Sequence, residues 1–321
     1  MRIGIAIGEV RGPTTVHGIV EQVREAAEAG FPVAWSSQAL GIDALTSVAL
    51  AGVAVDSIEL GTAVVPVPQR HPLVLASQAL TVQDAISGRL TLGIGAGIGA
   101  MITGMFGMPT DRPVARMREY LGLLNELLHG QPVNHRGFVT AAGAVDLPGV
   151  TAPPVLLAAL GPAMLRVAGE LSEGTVTWMT GPRTLSAHVV PTITTAAARA
   201  GRPAPRIVAG LPVWATDDVD EARSAISRQF AVAAQVPEYR STLAREGLNN
   251  PADVAIVGDD TEVERGLRRL QDAGVTDFMA VPCGSDSEQQ RTIRLLAMLA
   301  RSSSAFRSTA ATETRKNCIG R

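Results

Sequence analysis

At 321 residues the chain is too long for one small domain and suits a single (β/α)8 barrel with insertions, which takes about 250 residues before extras. Hydrophobic residues make up 46% and charged residues 18%, enough for a large core, and a net charge of −2 leaves no basic footprint for nucleic acid. No apolar run reaches the roughly 20 residues that span a bilayer.

Met1-Arg2-Ile3-Gly4-Ile5 runs directly into a strand and shows no signal peptide. Val16, Ile19, Val20, Val23, Ala26 and Ala27 share one helical face, which Gly30 terminates before a strand at Val33-Ala34-Trp35. A third strand covers 58–65, followed by a turn holding Pro66 and Pro68. Then come Arg70-His71-Pro72, an apolar helix and the stop Ser87-Gly88-Arg89. A further strand runs into Gly93-Ile94-Gly95-Ala96-Gly97-Ile98-Gly99. Strand, helix and strand in about forty residues make a βαβ unit, so the two strands are parallel.

Further strands begin near Pro154, Gly174, Arg206 and Val275. Thr261 and Glu264 read as a capping box for a helix that stops at Gly274, and a final helix covers 287–299. With strands starting near Ile3, Val33, Ile58 and Leu90, the pattern predicts an α/β fold. Its form is a closed (β/α)8 TIM barrel over residues 1–300, with an open doubly wound sheet as the structural alternative.

Two connections are oversized, giving insertions after strands 4 and 7. The first holds a Gly/Met-rich loop (98–109), a helix (113–128) and a hairpin around 133–147. The second holds an amphipathic helix (219–234) and a polar stretch to 260. Both follow strand carboxyl ends, where barrel enzymes keep their active sites and where insertions act as lids or pocket walls. Residues 301–321 are Ser/Thr/Arg-rich without periodicity and predict a disordered or loosely attached tail. Cys283 and Cys318 suit neither a disulfide framework nor a zinc site, so the expectation is a cytoplasmic protein with no metal.

Candidate ligand contacts fall at the strand ends. Gly8-Glu9 ends the first strand and Trp35-Ser36-Ser37-Gln38 the second; Glu9 reads either as a catalytic carboxylate or as a solvated loop residue. Gly95-x-Gly97-x-x-Ala100 fits the dinucleotide fingerprint in form, but it follows the wrong strand and lacks the acidic partner. A tight turn under a ligand at the barrel mouth is the better reading, because glycine permits positive φ and close approach. Ala159-Leu160-Gly161-Pro162 closes the fifth strand and opens a helix. Proline suits the first helical position and the free amides beside it favour an anion, although Gly-Pro also serves as a plain corner. Thr180-Gly181-Pro182-Arg183 repeats the device after the next strand, which favours a phosphate site. His17 and His71 read as caps or packing groups, and His129, His135 and His188 have no metal spacing. Cys283 reads as an inert thiol.

These residues resemble the luciferase-like monooxygenase superfamily and, within it, the coenzyme F420-dependent oxidoreductases. The matching segments are Ala27-Glu28-Ala29-Gly30-Phe31, Leu60-Gly61-Thr62, Arg70-His71-Pro72, the run from Ser87 to Gly95, and Ala158-Ala159-Leu160-Gly161-Pro162. Trp178-Met179-Thr180-Gly181-Pro182 and Gly274-Val275-Thr276-Asp277-Phe278 extend the match, which covers roughly 1–299. The resemblance implies a barrel that is often homodimeric, and a cofactor ring backed by a bulge at the end of the third strand. That bulge commonly carries a non-proline cis peptide and falls here on Ala63-Val64-Val65. The cofactor's phosphate-bearing tail would lie near Gly161, Pro162 and Thr180, with hydride passing between the deazaflavin and a substrate stacked above it.

The expected cofactor set is therefore Ser37, Gln38, Ala63, Val64, Val65, Gly95, Ala96, Gly97, Ala159, Leu160, Gly161, Pro162, Thr180 and Arg183, with Glu9 and Gln38 as catalytic candidates. Members that oxidise glucose 6-phosphate or alcohols carry an Asp-His pair after the second strand, where this chain has Gln38-Ala39. Without that imidazole, reduction of an activated C=C or C=N bond is expected. An FMN enzyme using oxygen and a non-catalytic flavin-binding barrel are the alternatives. The partners expected are a small organic substrate and a second copy of the chain, with neither nucleic acid nor membrane.

Overall fold

The computed structural model describes residues 1–38 and 40–318, with side chains up to residue 302. Eight parallel strands pair in chain order: Arg2–Ile7, Val33–Ser36, Glu59–Thr62, Leu90–Gly95, Val155–Ala158, Gly174–Trp178, Arg206–Ala215 and Asp277–Pro282. The last lies beside the first, with Arg2 opposite Asp277 and Ile5 opposite Ala280, so the sheet closes into a barrel and the open-sheet alternative is excluded. Each strand starts within two residues of its expected position.

Local chemistry sets the helices between them. Thr15 accepts a hydrogen bond from the Gly18 amide to open helix Val16–Ala29, and Gly30, at φ 87°, ends it. Asp43 accepts from the Thr46 amide to cap helix Ala44–Ala54, and His71 Nδ1 accepts from the Leu73 amide ahead of helix Pro72–Ala85. One cap differs from the sequence reading. Asp259, not Thr261, caps helix Asp260–Asp272, accepting from the Glu262 amide at 2.9 Å. Asp is an equally good cap, and starting there places Thr261 already inside the first turn.

Trp35, Leu156, Val176, Val208, Met279 and Val281 belong to one buried cluster. Trp35 is fully buried beside Gly61, where an added Cβ would lie 2.4 Å from the indole. The amino end of the barrel is closed by charge. Arg206 donates to Asp277 at 3.0 Å and to Thr91 at 3.3 Å, and Arg2 pairs with Glu59 at 2.6 Å. The Asp277 side chain is only 3% exposed. With that end sealed, the ligand mouth is the carboxyl end, as the fold dictates.

The insertions are more ordered than expected. The Gly/Met-rich stretch contains helix Gly99–Phe106, bracketed by Gly97 at φ 73° and Gly107 at φ 63°, with no proline to stop a turn of helix between them. Helix Pro113–Leu128 and the hairpin of Val133–Arg136 with Thr140–Gly143 stand as read. After the seventh strand, helix Val219–Gln229 ends earlier than anticipated, and helix Pro237–Glu246 occupies the polar stretch. Ile256–Gly258 then adds a parallel strand alongside Val213–Ala215. The final helix spans Asp286–Cys318. The expected tail begins on it, and the side chains beyond residue 302 and residues 319–321 lie outside the described residues.

Candidate active site

The second strand leads out of the barrel through Ser36, Ser37 and Gln38; Ala39 lies outside the described residues. The Gln38 side-chain oxygen accepts from Arg70 Nη2 at 2.9 Å and from the Ala44 amide at 3.3 Å. Its side-chain NH2 thereby remains the group it can donate. Arg70, with its side chain 11% exposed, also donates to Asp43 at 2.7 Å and to the Pro66 carbonyl at 3.0 Å. Its own carbonyl accepts from Tyr120 Oη at 2.9 Å, and burial pushes that phenol above its ordinary range. Burial alone would raise the Asp43 carboxyl, but bonds from the Thr46 amide and hydroxyl and the charge of Arg70 hold it below its ordinary value. A groove of about 580 Å³ opens beside this network, walled by Gln38, Leu40, Arg70, His71, Val74 and Phe106 among others.

The third strand breaks at Ala63, and the Ala63–Val64 peptide is cis. Thr62 Oγ1 donates to the Gly93 carbonyl at 2.7 Å and accepts from its amide at 2.9 Å. The Ala63 amide donates to the Ser36 carbonyl at 2.8 Å, and Val65–Pro66 resumes the pairing beside Ile94 and Gly95. Gly95 is what admits this arrangement, since an added Cβ would sit 2.9 Å from Val64 Cγ2 and 3.2 Å from Ala158 Cβ. The structure therefore gathers Ser37, Gln38, Ala63, Val64, Val65, Gly95, Ala96 and Gly97 along neighbouring strand ends on one side of the mouth. Ala159 is buried, and the Leu160 carbonyl is bound by His188 Nε2 at 3.0 Å.

The two Gly-Pro helix heads differ. Gly161 is exposed, has no side-chain cap at its helix Pro162–Leu171, and an added Cβ there would meet nothing within 4 Å. At the second head, Thr180 is buried with its hydroxyl on the Trp178 carbonyl, while the Arg183 and Thr184 amides donate to the carboxylate of Glu246. The sequence reading favours a phosphate here; the acceptor at this head is the chain's own carboxylate. The Arg183 and Thr184 amides are therefore occupied, whereas the neighbouring head at Gly161 has no side-chain cap. Glu9 is exposed, and its carboxylate accepts from the Ile42 amide at 3.2 Å, tying the first strand's end to the loop beyond Gln38.

Sequence reasoning missed Arg70 as the hub and Glu246 altogether. Arg70 had a signal in the Arg70-His71-Pro72 segment. Glu246 had none, because its contacts reach back 62 and 63 residues in the chain. Cys283 is buried, with burial pushing the thiol up to about 12, so it stays protonated.

A barrel sealed at its amino end, with a glycine-lined carboxyl mouth beside an open helix head, is a ligand-binding (β/α)8 barrel of the enzyme type. The chain belongs to the luciferase-like monooxygenase family, whose profile matches residues 1–298. It is 27% identical over 345 aligned positions to a Mycobacterium tuberculosis protein provisionally named a coenzyme F420-dependent oxidoreductase, covering 92% of this chain and 99% of that one. It is 26% identical to a 5,10-methylenetetrahydromethanopterin reductase of Methanopyrus kandleri, over 84% of this chain and 90% of that protein. The solved coenzyme F420 dependent tetrahydromethanopterin reductase from Methanopyrus kandleri shares the fold at a TM-score of 0.77 and 23% identity, covering 92% of this chain and 97% of that one.

Proposed function

We propose that the chain is a coenzyme F420-dependent oxidoreductase that passes hydride between the deazaflavin and a small organic substrate, reducing an activated C=N or C=C bond. A relative named for F420 dependence, matched over 92% of this chain, supports the cofactor. The observation that carries the reading is the open helix head at Gly161. That exposed head, with no side-chain cap, suits the phosphate of such a cofactor, and a Cβ added at Gly161 would meet nothing within 4 Å. Val64 and Gly95, packed against each other beside Ala158 on the strand that leads to Gly161, offer an apolar shelf for the ring.

Bound F420 supplies a carbon hydride donor and acceptor that needs no oxygen. The residues near the mouth decide the direction. Gln38 can donate a hydrogen bond but cannot take a proton. His71 shares the groove with Gln38, yet one ring nitrogen is bound to the Leu73 amide and the other to the Thr140 carbonyl. A hydroxyl substrate would thus find no free imidazole there. A cationic C=N bond needs none, because hydride alone neutralises it. A polarised C=C bond takes hydride at one carbon and a proton from water at the other.

The test is anaerobic: reduced F420 is mixed with a cationic imine, a conjugated enone and a secondary alcohol, the alcohol with oxidised F420. Turnover with the first two and none with the alcohol supports the reading; turnover with the alcohol alone overturns the direction. A homodimer belongs to the same proposal, since neighbouring helices Ala44–Ala54 and Pro72–Ala85 expose Leu50, Val53 and Val74. Sedimentation at micromolar protein tests it, and a monomer there contradicts it.

A further inference from the structure

Glu246 is the last residue of helix Pro237–Glu246, the end at which a helix disfavours negative charge. Its carboxylate nevertheless accepts three bonds from the head of another helical run. These come from the Arg183 amide at 3.0 Å, the Thr184 amide at 2.8 Å and the Thr184 hydroxyl at 2.8 Å. That run continues without a break from Pro182 through a π-helical turn (Leu185–Val189) to Arg199, so it carries the positive end of a full-length helix. Gly181 admits the carboxylate, since an added Cβ would lie 2.4 Å from Glu246 Cδ. Thr184 is buried under the contact. The favourable charge of the second helix and the charge-assisted bonds outweigh the unfavourable end of the first.

We infer that Glu246 is a built-in anion. It closes the Gly181-Pro182 head to phosphate-bearing ligands and ties the insertion after the seventh strand to the barrel rim. A phosphate arriving at the Arg183 and Thr184 amides would meet a carboxylate already holding both donors, and like charges repel. Of two heads with the same Gly-Pro sequence, only the one at Gly161 is left open to an external anion. The closure of the second head stands on its own contacts; the direction of the cofactor's phosphate to Gly161 rests on the function proposed above.

The experiment is an amide-resolved NMR titration of the full-length, deuterated protein with inorganic phosphate, in wild type, Glu246→Ala and the milder Glu246→Gln. In wild type the Arg183 and Thr184 amides stay still. In Glu246→Ala they titrate, with apparent binding at least about tenfold tighter than in wild type. Glu246→Gln, which is neutral but keeps one acceptor oxygen, falls between. Hydrogen exchange over residues 237–246 rises in Glu246→Ala. Wild-type Arg183 and Thr184 amides that titrate as readily as the variant's overturn the closure, as do variant amides that never respond. Unchanged exchange over 237–246 overturns the tie to the rim. Silent Ala163 and Met164 amides in every protein count against the Gly161 reading alone.

Discussion

Arg70 holds the side-chain oxygen of Gln38 at 2.9 Å across 32 residues of sequence. The same guanidinium nitrogen reaches Asp43, and the other reaches the Pro66 carbonyl just past the bulge. One side chain therefore fixes both the loop after the second strand and the turn after the third. Replacing it with Ala leaves three acceptors without their charged donor, and charge-assisted bonds contribute about 1.5–3 kcal/mol each at most. Because Asp43 remains partly in water, we expect Arg70→Ala to lose about 2–3 kcal/mol in total by urea unfolding. Arg70→Lys recovers only part of this, since an ammonium cannot fork between the acceptors. A loss no larger than that of an ordinary surface substitution contradicts the hub.

Asp43 gives that network a pH dependence with a definite sign. Its folded carboxyl sits below its ordinary value, so it contributes stability above the ordinary carboxylate range. That contribution is lost as pH falls through the depressed folded value. The urea midpoint of wild type should exceed that of Asp43→Asn near neutral pH, and the gap should close in acid. A gap that widens on acidification reverses the sign and refutes the assignment.

Gly161→Val places a branched side chain where an anion would approach, in space that is otherwise empty. The backbone there, φ −79° and ψ 151°, suits valine, so the fold survives. We expect F420 affinity to fall at least about tenfold, or about 1.4 kcal/mol. Arg183→Ala should leave it unchanged, because the anion at that head is Glu246. Equal losses in both variants would merge the two heads into one site.

Gly61→Ala tests the barrel interior instead. The new methyl would meet the buried Trp35 ring at 2.4 Å, and overpacking of this kind costs about 1–3 kcal/mol. Thermal unfolding should show the loss with or without cofactor. An unchanged melting temperature contradicts the tight fit.

The barrel was legible because one local pattern recurs: an Ala-rich amphipathic helix, a terminating glycine such as Gly30, then a short β-branched strand. The bulge at Ala63-Val64-Val65 was expected from the family resemblance, and the helix start at Gly161 from its contiguous Gly-Pro pair. What stayed hidden was long-range. Nothing near Glu246 announces that its carboxylate ends on the Arg183 and Thr184 amides. Nothing near Arg70 fixes which of Gln38, Asp43 or solvent it meets. Helix Gly99–Phe106 was hidden differently, since its glycines and methionines lack the periodic polar face by which a helix is read.

The central claim is the cofactor, and equilibrium titration of the purified protein with F420 and FMN in parallel, without oxygen, tests it most directly. Micromolar F420 binding with much weaker FMN binding is the predicted result. Tight FMN binding with none of F420 would contradict the account and place the chain with the oxygen-using members of its family.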